Sequence, residues 1–283
     1  MRNKITLWLT VFALIFTLNA CTATRLAYNN AAVVLNYYLD DFIDLTSAQK
    51  AWLSPRWSKL IEWHRENELP IYKQLLLQSK EQLNGQITPA EVNAVSGEVK
   101  ASFMRAVDFL MPDITEFVAQ LSPAQIDYLE RKLAKDTAKR AKEITRHVDD
   151  RKKRKLEKYL ENFEDNFGTA STAQRTKITE VVSSWPLLDE ARYQHSQRGQ
   201  SAILKLLKEH SKDPAVISAT LKARITNPEA NRTPAYQTLL AEEEKQNVEL
   251  NVWLVNSATP KQKAKLAAQL EGYAQDVTGL LKR

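Results

Sequence analysis

Cysteine and glycine are both scarce in this chain of 283 residues, which contains one Cys and six Gly. A single cysteine excludes a disulfide within the chain, so the fold has to be held together by packing. The abundance of Ala, Leu, Lys, Glu and Gln favours helices over turn-rich sheets. Glycine-rich phosphate loops, the G-x-S-x-G turn of hydrolases and histidine pairs at metal-binding spacing are also missing. The sequence therefore predicts no catalytic residue, no metal site and no cofactor, and we expect a protein that is not an enzyme.

The chain also lacks a large net charge: it has 40 basic and 34 acidic side chains, which gives a net charge of +6. So small an excess does not by itself identify a partner. The longest apolar run, residues 5–18, has 14 residues, fewer than the ~20 that a membrane-spanning helix needs. It follows the basic residues Arg2 and Lys4, and this order is typical of a secretory signal.

The segment Leu18-Asn19-Ala20-Cys21 resembles the lipobox of bacterial lipoproteins. The resemblance implies that residues 1–20 are a signal peptide, that Cys21 is acylated, and that residues 21–283 form the mature protein. Two or more acyl chains anchor a protein stably to a bilayer. In lipoproteins an Asp after the cysteine is the common signal for retention in the inner membrane. Thr22 stands there instead, so we expect a palmitate-bearing lipoprotein of the outer membrane that faces the periplasm.

Helix-start signals recur along the mature chain. Five capping boxes, each a Ser or Thr followed three residues later by Gln or Glu, begin at Thr46, Thr88, Ser122, Ser171 and Thr259. Asp213-Pro214 and Thr233-Pro234 are further N-cap pairs. These signals predict an all-α fold, an elongated multi-helix bundle or set of helical hairpins, with a subdivision near 168–171. The expected helices cover 26–44, 47–84 with a break near Pro55 or Pro70, 89–119 with a bend at Pro112, 123–167, 172–184, 187–210, 214–225, 234–256 and 260–282.

The very long helix expected over 123–167 carries most of the positive charge. Residues 131–158 include thirteen basic and five acidic side chains, a net of +8. The basic cluster Arg151-Lys152-Lys153-Arg154-Lys155 interrupts the apolar stripe of this helix, so we expect it in solvent or against a charged partner. Such a cluster suits lipid head groups or an anionic polymer of the cell envelope. The alternative is a solvated face stabilised by ion pairs one turn apart.

Aromatic and acidic residues crowd the first quarter of the chain. The aromatic set can line a groove for sugars or peptides, or it can simply fill the core; it comprises Trp52, Trp57, Trp63, His64 and Tyr72. The acidic set Asp40, Asp41 and Asp44 can supply an acid–base pair or calcium ligands, or merely end a helix. His64 and Glu68 lie one turn apart, too few ligands for a metal site, and Glu68 is expected to form surface pairs with Arg65.

Three stretches together resemble an uncharacterised family of proteobacterial lipoproteins: Arg25-Leu26-Ala27-Tyr28-Asn29, the segment 40–49, and Trp63-His64-Arg65 followed by Glu68-Leu69-Pro70-Ile71-Tyr72. The resemblance implies a location and a helical fold but no activity. Leu45-Thr46-Ser47-Ala48-Gln49, and nearly Leu121-Ser122-Pro123-Ala124-Gln125, also resemble the L-T-x-x-Q motif of small periplasmic helical chaperones. That motif is a good capping box as well, so helix-start chemistry explains the match equally.

The expected function is that of a non-enzymatic binding or adaptor protein in the cell envelope. Its partners would be the bilayer, through acylated Cys21, and an envelope protein or anionic envelope polymer. A secretory signal argues against nucleic acid as a partner. One alternative is a chaperone-like stress protein that holds unfolded chains. Another is a hydrolase whose cleft gathers His64 with Asp40, Asp44 or Glu68.

Overall fold

The computed structural model describes residues 21–210 and 212–282, with side chains from Arg25 onward, so the expected signal at 1–20 lies outside it. Within these ranges every regular element is helical, which confirms the all-α prediction. The α-helices are α1 Cys21–Asn29, α2 Ala31–Ile43, α3 Ser47–Asn67, α4 Leu69–Gln82, α5 Pro89–Ala119, α6 Pro123–Ile144, α7 Val148–Phe167, α8 Thr172–Ser184, α9 Asp189–His210, α10 Pro214–Thr226, α11 Pro234–Asn256 and α12 Pro260–Leu281. A short 3-10 helix, Pro228–Asn231, precedes α11.

All five predicted capping boxes form, and they set the starts of α3, α5, α6, α8 and α12. In each, the hydroxyl accepts from the backbone N–H three residues on, and the Gln or Glu accepts from the cap backbone. Asp213 and Thr233 cap α10 and α11 as expected. The helix starts are therefore decided locally, by side chains that satisfy backbone donors at each N-terminus.

The single helix expected over 123–167 is wrong, because the chain forms two helices that are separated at Thr145–His147. His147 adopts extended backbone angles, and its Nδ1 accepts from the Asp149 N–H at 3.3 Å. Asp149 and Asp150 then lie in the first turn of α7, where acidic residues interact favourably with the helix dipole. The acidic pair thus marks a helix start rather than the middle of a charged rod.

Because of this break, the apolar side of α6 and the apolar side of α7 pack in different hydrophobic clusters. Ile126 and Leu129 of α6 pack in a cluster that α2, α3, α5, α9 and α10 share. Phe163 of α7 packs in a second cluster with residues of α8 and α11. A third cluster joins Tyr28 to Leu69 and the end of α12, which packs along α4 and α1. The C-terminal helix therefore returns to the N-terminal part of the fold.

The predicted break in the segment 47–84 falls near Pro70, while Pro55 and Pro112 lie inside α3 and α5. Pro70 stands in the first turn of α4, where its missing N–H costs no helical hydrogen bond. Glu68 sits at the junction, and its N–H still donates to the His64 carbonyl at 2.9 Å. The junction therefore bends the backbone at Glu68 while the polypeptide stays locally helical.

Two pairs of helix starts meet through the glutamines of their capping boxes. The amides of Gln49 and Gln125 donate to each other at 3.2 and 2.7 Å, joining α3 to α6. The amides of Gln174 and Gln262 do the same at 3.1 and 2.9 Å, joining α8 to α12. All four glutamines are buried, with at most 7% of the residue exposed. Each glutamine thus closes its own helix end and holds a distant one.

The second member of each pair makes one more equivalent contact. Gln125 Nε2 donates to the Asp44 carbonyl and Gln262 Nε2 to the Thr169 carbonyl, both at 3.1 Å. Each acceptor stands two residues before the cap of the partner helix. The two junctions therefore have the same pattern of hydrogen bonds.

We predict that Gln125→Ala lowers the free energy of unfolding by about 2–3 kcal/mol, because the Gln49 amide is left buried without its partner and a helix end loses its acceptor. Urea unfolding followed by circular dichroism measures the change. Glu91→Ala is the matched control, since Glu91 closes the box of α5 from a partly exposed position and should cost about 1 kcal/mol or less. Equal losses for both variants would contradict a special role for the buried pair.

Candidate functional site

A cluster of polar side chains lies inside the fold where α1, α3, α4 and α5 meet. We call it the buried node and define it by Tyr28, His64, Glu68, Tyr72, Ser102 and Arg105. His64, Glu68 and Tyr72 follow one another at four-residue steps, so they lie on one side of the α3–α4 segment. Ser102 and Arg105, three residues apart, face them from α5. The node therefore depends on two polar stripes in otherwise apolar surroundings.

Glu68 is the centre of the node and is 0% exposed. Arg105 Nε donates to Glu68 Oε1 and an Arg105 terminal nitrogen donates to Oε2, both at 2.8 Å. The Ser102 hydroxyl donates to Oε2 at 2.5 Å, and it lies 2.6 Å from the Tyr72 hydroxyl. A second carboxylate, Glu98, accepts from Arg105 at 2.8 Å. Both oxygens of the buried carboxylate are thus hydrogen-bonded within the protein.

The electrostatics of the node favour the ion pair. Burial raises the pKa of Glu68, but hydrogen bonds from Arg105 and Ser102 and the Arg105 charge outweigh it, so the pKa lies below its ordinary value. Hydrogen bonds to Glu68 and Glu98 raise the pKa of Arg105. Burial also raises the pKa of the Tyr72 hydroxyl. Glu68 and Arg105 are therefore both charged at neutral pH.

His64 forms the other side of the node and is 7% exposed. Its Nδ1 lies 3.0 Å from the hydroxyl of Tyr28, which also donates to the Ile61 carbonyl at 3.3 Å. Burial lowers the pKa of His64 to about 4, although the Glu68 charge acts in the opposite direction. Burial raises the pKa of Tyr28 to about 12. His64 is therefore neutral at physiological pH, and Tyr28 ties the first helix to α3.

This geometry supports a structural role for the node. A general base needs a lone pair that a substrate can reach, whereas the Glu68 oxygens are inaccessible and already accept three hydrogen bonds. Breaking a fully buried ion pair typically costs about 3–5 kcal/mol, and loss of this pair should cost less because the Arg105 side chain is 39% exposed. The node thus fixes how four helices meet.

The expected surface pairing of Glu68 with Arg65 is wrong, because Glu68 is buried and binds Arg105. The sequence interpretation missed Ser102, Arg105 and Glu98 altogether. Their signal was present as a polar stripe at three- and four-residue steps on α5, facing away from the apolar stripe. Only the tertiary fold shows that this stripe meets the stripe of Glu68.

The five aromatic-set residues contact different neighbours. Trp52 donates to Glu116 at 3.2 Å with the Arg56 guanidinium 3.4 Å from its ring, and Trp57 donates to Asn36 of α2 at 2.9 Å. The Trp63 ring stacks on Phe109 of α5 with centroids 4.6 Å apart. His64 and Tyr72 belong to the node, with ring centroids 5.6 Å apart. The structure therefore brings together His64 and Tyr72, while the tryptophans join α3 to α2 and α5.

The basic cluster meets acidic groups of its own chain at four of its five positions, and two of those pairs are partly buried. Arg151 bonds to Asp189 at 3.3 Å, and Lys155 bonds to Glu243 at 2.6 Å and lies 4.8 Å from the centre of the Trp185 ring. Lys152, Lys153 and Arg154 are exposed, with Lys153 near Glu157 at 3.9 Å and Arg154 near Glu143 at 3.8 Å. The exposed charge is therefore smaller than the sequence suggests.

The acidic set also takes part in local structure. Asp40 accepts from the Leu45 N–H at 2.8 Å and pairs with Lys50 at 3.0 Å. The hydrogen bond from Lys50 and then that from Leu45 lower the pKa of Asp40. Asp41 pairs with Lys132 of α6 at 2.6 Å, and Asp44 ends α2 in a left-handed conformation with φ 55°. The carboxylates of Asp40 and Asp41 thus bond to Lys50 and Lys132, not to His64.

Across 21–210 and 212–282, no three His, Cys, Asp or Glu side chains come together as a metal ion would require. No helix in the same ranges is both long and apolar enough to cross a membrane. Cys21 opens α1, and its side chain lies outside the described part.

Fold and node together define an all-α protein whose helix ends and buried charges are paired within the chain. Residues 41–237 match the model of a family of unknown function, DUF6279. Since the match covers more than two thirds of the sequence, the chain belongs to this family, and the expectation of an uncharacterised family is confirmed. The matched segment includes most of the buried node, but Tyr28 precedes it. No curated protein and no solved structure shows a significant match to the chain.

We predict that His64 makes the fold sensitive to mild acid. Because the folded-state pKa of about 4 lies below the ordinary 6.5, the unfolded chain takes up the proton first. The stability that neutral His64 contributes is thus full above pH 6.5 and is lost as the pH falls towards 4. Between pH 6.5 and 5 this amounts to about 1.5 kcal/mol. Urea unfolding at several pH values measures it.

His64→Gln should remove the contribution of His64 to this slope between pH 6.5 and 5 and leave that of His195, whose pKa burial also lowers, whereas His210→Gln, at an exposed position, should keep the full slope. The Glu68 pKa is lowered from 4.5, so loss of its contribution begins below this window and does not mask the effect. A slope that is undiminished in His64→Gln would show that His64 is not responsible.

Proposed function

We propose that the protein is a bacterial lipoprotein, acylated on Cys21 and held at the periplasmic face of the outer membrane. The observation that carries the proposal is the order of Arg2 and Lys4, the apolar run 5–18 and the box Leu18-Asn19-Ala20-Cys21, which ends on the sole cysteine of the chain. Cys21 lies only four residues before Arg25, whose side chain bonds to Asp276, so the proposed anchor stands close in sequence to the folded body.

Within this location we propose a non-enzymatic binding or adaptor role towards an envelope component. The described surface offers a groove of about 450 Å³ between α4 and α5, with both apolar and amide side chains along it, among them Ile71, Leu75, Gln78 and Val95. Glu98, which bonds to Arg105 of the node, lies at the edge of this groove. The node would thus hold the groove walls rigid, which limits the entropy lost when a protein segment binds.

A chaperone-like role is the second proposal, and the same groove would serve it. The L-T-x-x-Q likeness adds little support, because Gln49 and Gln125 are buried and bonded to each other. The hydrolase alternative gains no support from Glu68, whose oxygens are already occupied. An adaptor that recognises one partner is therefore the function that the geometry supports best.

We predict that Cys21→Ser abolishes incorporation of labelled palmitate and lowers the share of the protein in the membrane fraction, because the thiol that carries the acyl chain is gone. Metabolic labelling and cell fractionation measure both effects. Thr24→Ser, an equally small change three residues on, is the control and should leave labelling intact. Palmitate labelling that persists in Cys21→Ser would refute the proposed attachment site.

We predict that Thr22→Asp moves the protein from the outer to the inner membrane, because it introduces the retention signal of the lipoproteins that the segment resembles. Separation of the two membranes by density, with immunodetection, measures the ratio. Thr22→Ser is the matched control and should stay in the outer-membrane fraction. An unchanged distribution in Thr22→Asp would contradict sorting by this position.

A further inference from the structure

The exposed apolar side chains of the described residues are concentrated in the first two helices. Among the described residues, six large hydrophobic residues are exposed. Four of them lie in α1 and α2: Leu26 at 64%, Val33 at 67%, Val34 at 38% and Tyr37 at 71%. The other two, Val99 and Val148, stand singly on α5 and α7. Isolated exposed valines need no explanation, whereas a group on one helical segment does.

We call these four residues the apolar face. Val33, Val34 and Tyr37 share one side of α2 at helical spacing. Leu26 lies on α1, and Asn30, with φ −103° and ψ 15°, separates the two helices. The opposite side packs inward through Tyr28, Asn36, Leu39 and Ile43. Both sides of the segment are therefore apolar, but only one is covered by the protein.

The apolar face is also free of charge. Between Arg25 and Asp40 the sequence contains no Lys, Arg, Asp or Glu. The two charges that flank it turn to the protein, since Arg25 bonds to Asp276 at 3.1 Å and Asp40 to Lys50 at 3.0 Å. Gly279 allows this contact of Arg25, because a Cβ at that position would overlap the guanidinium. Nothing charged within the segment thus opposes contact with an apolar phase.

We infer that the apolar face lies in the head-group region of the bilayer, as a second membrane contact beside the acyl anchor. The inference rests on the proposed acylation of Cys21, which precedes Leu26 by five residues, or ~7.5 Å along a helix. Helices that lie in a bilayer interface bury their apolar side by ~5–10 Å. Tyr37 suits this depth, because tyrosine favours the boundary between hydrocarbon and water. The anchor would thus bring a charge-free, apolar helix face against lipid.

The test uses single thiols on the acylated protein. Acylation blocks Cys21, so Val33→Cys and the matched control Val99→Cys each carry one free thiol, on and off the apolar face. Each protein is reconstituted in vesicles of phosphatidylethanolamine and phosphatidylglycerol and treated with a membrane-impermeant maleimide. We expect the thiol at position 33 to react about tenfold more slowly than that at 99, since an apolar environment disfavours the reactive thiolate. The mature chain with Cys21→Ser, without lipid, should show similar rates at both positions.

Each other outcome has a defined meaning. Equal rates at 33 and 99 on vesicles would overturn the inference. Protection of position 33 without lipid that grows with protein concentration would overturn it in favour of a second copy on this face. If the unsubstituted protein itself takes up the maleimide, Cys21 is free and the proposed acylation fails. The face is then tested alone by adding vesicles to the Cys21→Ser chain, where protection of 33 but not of 99 supports it and equal rates refute it.

Discussion

The fold depends on satisfying the ends of helices that are buried against one another. An all-helical chain with short connections brings many N-termini into its interior, and each leaves backbone donors without helical partners. Here the capping boxes satisfy them, and four of the boxes use glutamine, whose side chain has both an acceptor and a donor. The acceptor closes its own helix, and the donor binds the amide of a distant box. The capping glutamines therefore also form tertiary contacts, which join α3 to α6 and α8 to α12.

The buried node works with these junctions at the N-terminal end of the fold. Its ion pair of Glu68 and Arg105 gives little net stability compared with an apolar contact of equal size, because the Glu68 carboxylate loses its hydration on burial. The pair mainly sets the relative orientation of the helices. The hydrogen bonds from the Arg105 guanidinium and the hydroxyls of Ser102 and Tyr72 form in only one arrangement of α3, α4 and α5. Tyr28 extends that arrangement to α1, where the proposed anchor begins.

Three surface features of the described residues are candidates for contact with the proposed envelope partners. The apolar face of α1 and α2 adjoins the proposed acylation site, the groove between α4 and α5 borders the node, and the basic cluster begins α7. Internal pairing reduces the charge that the basic cluster presents, while Glu98 of the groove bonds to Arg105 of the node. A protein held close to the bilayer by α1 and α2 would present the groove at a fixed distance from the membrane, which suits an adaptor better than a diffusing chaperone.

The sequence by itself determined the elements whose signals are local. Capping chemistry acts within four residues, so Thr46, Thr88, Ser122, Ser171 and Thr259 located helix starts, and the low glycine content with apolar stripes indicated an all-α fold. The break at Thr145–His147 was local too, but the Asp149-Asp150 pair was interpreted as part of a charged run rather than as the first turn of a helix. What only the tertiary structure decided were contacts between residues far apart in the chain. No local sequence pattern shows that the partner of Gln49 lies 76 residues away. Nor does a local pattern show that Glu68 pairs with Arg105, 37 residues further along the chain. Such pairs form because the packing of apolar faces brings the helices together, and that packing is a property of the whole chain.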